Sequence, residues 1–219
     1  MGMFSKLFGG SSRDKHSYVR IWSKNKEREI DQSNDLPMEE LLFATSMWIL
    51  STFGDENSKD IVPKEMKGFV LDASQHYSGD ATLFELGCYL YLQLDLWLFM
   101  NRPKRREVIV TDFADKFIEL FTHALNIKDI AALFDERLCQ YSKLSREGAN
   151  TENYHYHLLQ LIIRTRDNQL PASYDFEKHS LTIRGFTEET GLKFALVSWE
   201  KSKIPVLFDT VEKYCDLTG

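Results

Sequence analysis

The chain has 219 residues, 43% of them apolar and 27% charged, with five prolines. That is the make-up of one good-sized globular domain, able to bury a core without disulfides or a structural metal, and it excludes a disordered or collagen-like chain. The net charge of −6 excludes a protein whose main work is coating nucleic acid.

The first 34 residues differ from the rest. Up to Ile30 there are seven Lys or Arg against three acids, while the remainder is acidic. Such asymmetry marks an interaction segment, and residues 1–34 read as a basic, partly flexible lead into a helical domain over 35–219. Met1 to Phe8 (MGMFSKLF) is too short an apolar run for a signal peptide, and Gly9-Gly10-Ser11-Ser12 follows at once. Gly2 invites myristoylation, but Lys6 stands where that pattern needs Ser or Thr. Met3, Phe4, Leu7 and Phe8, with Lys6 between them, make an apolar face suited to an anionic membrane surface. A disordered end, or a segment docked on its own domain, reads as well.

From Asp35 the chain reads as helix after helix. Asp35, Pro37, Glu39 and Glu40 are start signals, and Leu42, Thr45, Trp48, Ile49 and Phe53 recur at spacings of three and four. Pro63 opens a second helix with Met66, Phe69, Val70, Ala73 and Tyr77 on one face, and Ser78-Gly79-Asp80 breaks it. The next is the most apolar stretch, Leu83 to Met100, whose 18 residues approach the length of a membrane span. It holds Glu85, Gln93 and Asp95, and an Asp inside a bilayer helix costs about 2.5–3.5 kcal/mol. At 100° per residue these polar groups share one half of the helix, which fits the central helix of a soluble bundle.

Asn101-Arg102-Pro103 breaks that helix. The following one carries Ile109, Phe113, Phe117, Leu120, Phe121 and Leu125. Asn126 is expected to cap the helix after it, with Ile130, Leu133, Phe134, Leu138, Tyr141 and Leu144 facing inward, and Asn150 caps another with Tyr154, Leu158, Leu161 and Ile162. The pattern weakens from Asp167, and a short irregular or strand-like segment is expected near 170–186. Thr187 restarts a helix through Leu192, Leu196 and Trp199, and Pro205 is expected to start a last, separate one with Leu207 and Val211. The fold class is therefore all-α: a bundle-like domain of about eight helices joined by short breaks.

Cys88, Cys139 and Cys215 are far apart, odd in number and set among apolar residues. They read as three buried, reduced thiols and point to the cytoplasm.

The sequence lacks the common catalytic cradles. There is no GxGxxG, no P-loop, no GxSxG and no HExxH. His-Asp and Asp-Asp pairs are also missing, which removes the usual metal signatures of helical phosphohydrolases and prenyl-chain enzymes. Di-iron bundles use two Glu-x-x-His pairs, and this chain has a single one, Glu152 with His155. His155 and His157 point about 200° apart on a helix and cannot chelate together. No catalytic residue, metal or cofactor is expected; Glu152 and His155 are the weak metal candidates.

Glu85 and Asp95 lie about 15 Å apart along one helix, too far to act on one bond. Each is expected to pair with a neighbouring helix or to lie on the polar edge. Arg102, Lys104, Arg105 and Arg106 cluster at a helix junction, where positive charge suits the end of the preceding helix and also fits an anion or an acidic partner.

Three readings of function stand. The first is a non-catalytic cytoplasmic protein that works through protein–protein contact or self-association, with weak peripheral membrane contact as a further element. The second is a helical ligand-binding protein or enzyme with a cavity among Phe84, Trp97, Phe117, Phe121 and Trp48. The third is a DNA-associated regulator using Arg13 to Arg28, which the acidic remainder and the lack of a helix-turn-helix disfavour.

Overall fold

The structure, a computed structural model, describes residues 38–53, 77, 79–146, 151–165, 168–171 and 186–215. Among these the elements are helices and no strand. In chain order they are α1 (Met38–Ser51), α2 (Asp80–Asn101), α3 (Pro103–Leu125), α4 (Ile130–Arg146), α5 (Thr151–Arg164) and α6 (Phe186–Cys215). The expected helix after Pro63 and the expected segment near 170–186 lie largely outside the described residues, as does all of 1–34.

α2 is the axis of the fold. It touches each of the other five helices. Every residue from Asp80 to Leu90 is buried, so this half of the helix is apolar on nearly all sides and needs neighbours all round. α3 returns antiparallel along it, because one non-helical residue, Arg102, turns the chain and Pro103 supplies a pre-set φ at the first position of α3. Gly87 brings the two helices together: a Cβ there would stand 2.2 Å from the Phe117 ring. Phe117 stacks on Phe84 at 5.6 Å and meets Phe121 at 4.6 Å and Phe134 at 5.4 Å. These rings fill the centre of the bundle.

α6 closes the other side. The indole of Trp199 is buried and donates to the carbonyl of Ile49 at 2.8 Å, which ties α6 to the end of α1. α2 is capped from far along the chain: Asn168 Oδ1 accepts the N–H of Ala81 at 3.0 Å, at the helix end where N–H groups lack intrahelical partners.

Three expectations are corrected. Asn126 does not start α4. It takes the left-handed conformation (φ 52°, ψ 39°) and ends α3, a role open chiefly to Gly and Asn; α4 begins behind Asp129, whose carbonyl takes the N–H of Leu133. Pro205 does not start a separate helix; it lies inside α6, on the exposed side, while Ile204, Leu207 and Val211 stay buried on the same face as Leu192, Leu196 and Trp199. Continuous burial of one face outweighs the lost backbone bond. Cys139 is exposed, because it lies off the stripe formed by Phe134, Arg137 and Tyr141; Cys88 is buried, and both are free thiols.

Candidate functional site

Two groups of polar and exposed side chains stand out. The first is buried. Glu85 on α2 and Arg137 on α4 are both fully shielded from solvent and meet through two guanidinium nitrogens, Nε at 2.9 Å and Nη2 at 2.9 Å. Nη2 also donates to the carbonyl of Pro171 at 3.0 Å. Burial pushes the Glu85 carboxyl above its ordinary value, and the Arg137 guanidinium pulls it back. Burial raises the Cys88 thiol and the Tyr141 phenol as well, with the nearby Glu85 charge adding to both. His157 packs edge-on against Tyr141 at 5.0 Å. Burial, with help from the Arg137 charge, lowers its pKa to about 4. At neutral pH this layer holds an ion pair, a thiol, a phenol and a neutral imidazole. Its strongest charges are spent on each other, and its main effect is to fix α4 and α5 against α2.

His155, the metal candidate on α5, lies with Nε2 2.7 Å from Glu200 Oε2 on α6. The side chain of Glu152 lies outside the described ones. Among the described residues no group of three His, Cys, Asp or Glu could hold a metal ion. The aromatic residues of the expected cavity are placed differently. Phe84, Phe117 and Phe121 pack on one another, Trp97 stacks on Phe208 at 5.4 Å, and Trp48 lies under the Lys203 ammonium at 5.1 Å.

The second group lies at the tip of the α2–α3 hairpin. The structure gathers the four cations of the sequence cluster there, and each of the three arginines has interactions of its own. Arg106 grips Asp95 with two bonds of 2.7 and 2.9 Å and lies over the Phe99 ring at 5.6 Å. The bond to Asp95 raises its pKa further. Arg102 reaches Glu212 on α6 at 2.8 Å. Lys104 is exposed and Arg105 half-buried. Beside them stand Phe99 and Met100, 63% and 72% exposed, with Leu96 and, on α3, Val108. A shallow groove of about 280 Å³ opens below, between Tyr91, Leu92 and Asp95 of α2, Arg106, Glu107 and Val110 of α3, and Leu138 and Ser142 of α4.

The sequence identified the cations of the tip and the carboxylates of α2. It missed Arg137 and the exposure of Phe99 and Met100. Arg137 had a signal: an arginine at helical spacing with Phe134 and Tyr141, in a chain whose most apolar helix holds Glu85 within its most apolar half. Phe99 and Met100 had none, since they continue an apolar run that is otherwise core. Met3, Phe4, Leu7 and Phe8 lie outside the described residues.

α2 is long and apolar enough to cross a membrane, and 61% of its apolar window is buried inside the protein. No family model matches the chain, and neither a curated protein nor a solved structure does so.

Proposed function

We propose that this chain is a non-catalytic cytoplasmic protein that acts by contact with another macromolecule, and that the α2–α3 tip is the surface it uses. One observation carries the reading. Among the described residues, five large apolar side chains are exposed, and four of them, Leu96, Phe99, Met100 and Val108, flank the Asn101–Pro103 corner. Scattered exposed apolar groups are ordinary, but a cluster rimmed by charge is the usual mark of an interaction surface.

The interior supports the same reading. Phe84, Phe117 and Phe121, three of the rings expected around a ligand cavity, pack on one another, and the buried Glu85 carboxylate is held by an arginine. Free thiols at Cys88 and Cys139 fit a reducing compartment. The sequence reading expects a protein partner or self-association, with an anion or acidic partner at Arg102, Lys104, Arg105 and Arg106 and membrane contact at Met3, Phe4, Leu7 and Phe8.

The test is photo-crosslinking in cells. A photo-reactive residue placed at Met100 should give defined adducts, and one placed at exposed His123, at the far end of α3, should give background only. Equal background from both positions contradicts the reading.

A further inference from the structure

We infer that His155 of α5 and Glu200 of α6 hold a divalent transition-metal cation of the zinc type, bound between the two helices. The contact between them has the length of a hydrogen bond but not its direction. His155 Nε2 lies 2.7 Å from Glu200 Oε2, yet Nε2 completes no hydrogen bond, so the oxygen stands off the line of the ring N–H. Glu200 Oε1 has no hydrogen-bond partner either, and both atoms are buried. Buried polar atoms left in this state are costly and rare in folded chains. A cation bonded to both side chains accounts for them. Two ligands of one tetrahedral zinc stand about 3.3 Å apart, each facing the ion and not the other. The pair needs to open by only about 0.6 Å to admit it, which is within the reach of side-chain rotation.

The donor set selects the ion. Imidazole with carboxylate suits zinc and its first-row neighbours, whereas calcium and magnesium take oxygen ligands throughout. The two side chains are 20% and 14% exposed, so the site is shielded but open to loading from solvent. Tyr89 of α2 backs the carboxylate: its phenol hydrogen-bonds Glu200, and its ring lies 6.2 Å from the imidazole. Ligating carboxylates are commonly steadied by such an outer contact. Among the described residues no three ligands converge. In sequence, Glu152 precedes His155 by three residues on α5, the spacing that sets two ligands on one helix face. Solvent completes the coordination. An ion shared by α5 and α6 ties together helices that are separated in the chain by residues 165–185, and its binding adds to the stability of the fold.

The experiment is calorimetric titration of the full chain, first freed of metal with a chelator, with zinc chloride. The expected result is a single equivalent of zinc bound and a melting temperature that rises with zinc concentration. H155Q and E200Q should each abolish saturable binding, and E152Q should weaken it. Y89F, which removes only the outer contact, should lower the affinity about 10–100-fold. H123Q/C139S, which removes an exposed imidazole and an exposed thiol, should bind zinc as the parent chain does. Each variant is also melted in chelator, and Y89F and E152Q carry the test where H155Q or E200Q does not fold. No saturable zinc binding by the parent chain overturns the inference. So does binding that survives both H155Q and E200Q, or that is lost in H123Q/C139S, since either places the ion elsewhere on the chain. None of these outcomes bears on the α2–α3 tip, whose own test is the crosslinking from Met100.

Discussion

Arg137 shows how a single residue ties this core together. It is fully buried on α4, and its Nε and Nη2 donate to the Glu85 carboxylate and the Pro171 carbonyl, while Nη1 lies 3.7 Å from Glu136 Oε1. A buried ion pair adds little net stability, because desolvation offsets the attraction, but breaking one leaves an uncompensated charge. Arg137→Ala should therefore cost about 3–5 kcal/mol in urea unfolding, and E85L/R137M should recover most of that loss. A double variant as unstable as the single one contradicts the account.

His157 gives a second test at this scale. Its pKa falls from 6.5 to about 4 because burial, and then the Arg137 charge, penalise the imidazolium. Above pH 6.5 neither the folded nor the unfolded chain protonates it, and its neutral burial contributes fully. Below that, the unfolded chain binds a proton that the folded one refuses, so stability falls as pH drops towards 4, by about 3 kcal/mol in all. H157Q should remove this part of the acid slope. A variant with the same slope as the parent chain would show that other groups carry it.

At the scale of elements, burial decides where local signals conflict. α2 was legible because its apolar run is longer than a strand needs and its polar groups fall on one half. α4 was legible from its stripe, but its start was not: Asn126 satisfies the composition of either kind of helix end, and only its positive φ reveals which. Pro205 misled in the same way. The rule that proline starts helices is local, while the continuity of α6 depends on Ile204, Leu207 and Val211 sharing a core with Trp199.

Since Pro205 is exposed and inside a helix, P205A should restore a backbone bond and raise the melting temperature, with a gain of up to about 3 kcal/mol. A lower melting temperature would mean that the proline is needed for the path of α6. Gly87 behaves oppositely. G87A drives a methyl into the Phe117 ring and should destabilise by about 1–3 kcal/mol, although alanine is the better helix former. No local pattern hints at this close approach, because it depends on a ring 30 residues away on the next helix.

At the scale of the whole molecule, the proposed contact surface lies apart from the groups that hold the fold together. The aromatic centre and the Glu85–Arg137 pair hold the helices together, and the tip contributes exposed side chains that the core does not use. The sequence showed the cations of the tip, since charge clusters are read directly. It did not show the apolar cluster beside them, since exposure depends on which helices pack against the end of α2. The most direct test is gradient fractionation of gently lysed cells expressing the full chain or F99S/M100S at native level. The parent chain should travel with membranes or in an assembly heavier than its own 25.6 kDa, and the variant should run as a free chain with an unchanged melting temperature. Both chains running alone at 25.6 kDa, or both remaining in the same heavy fraction, would contradict the account.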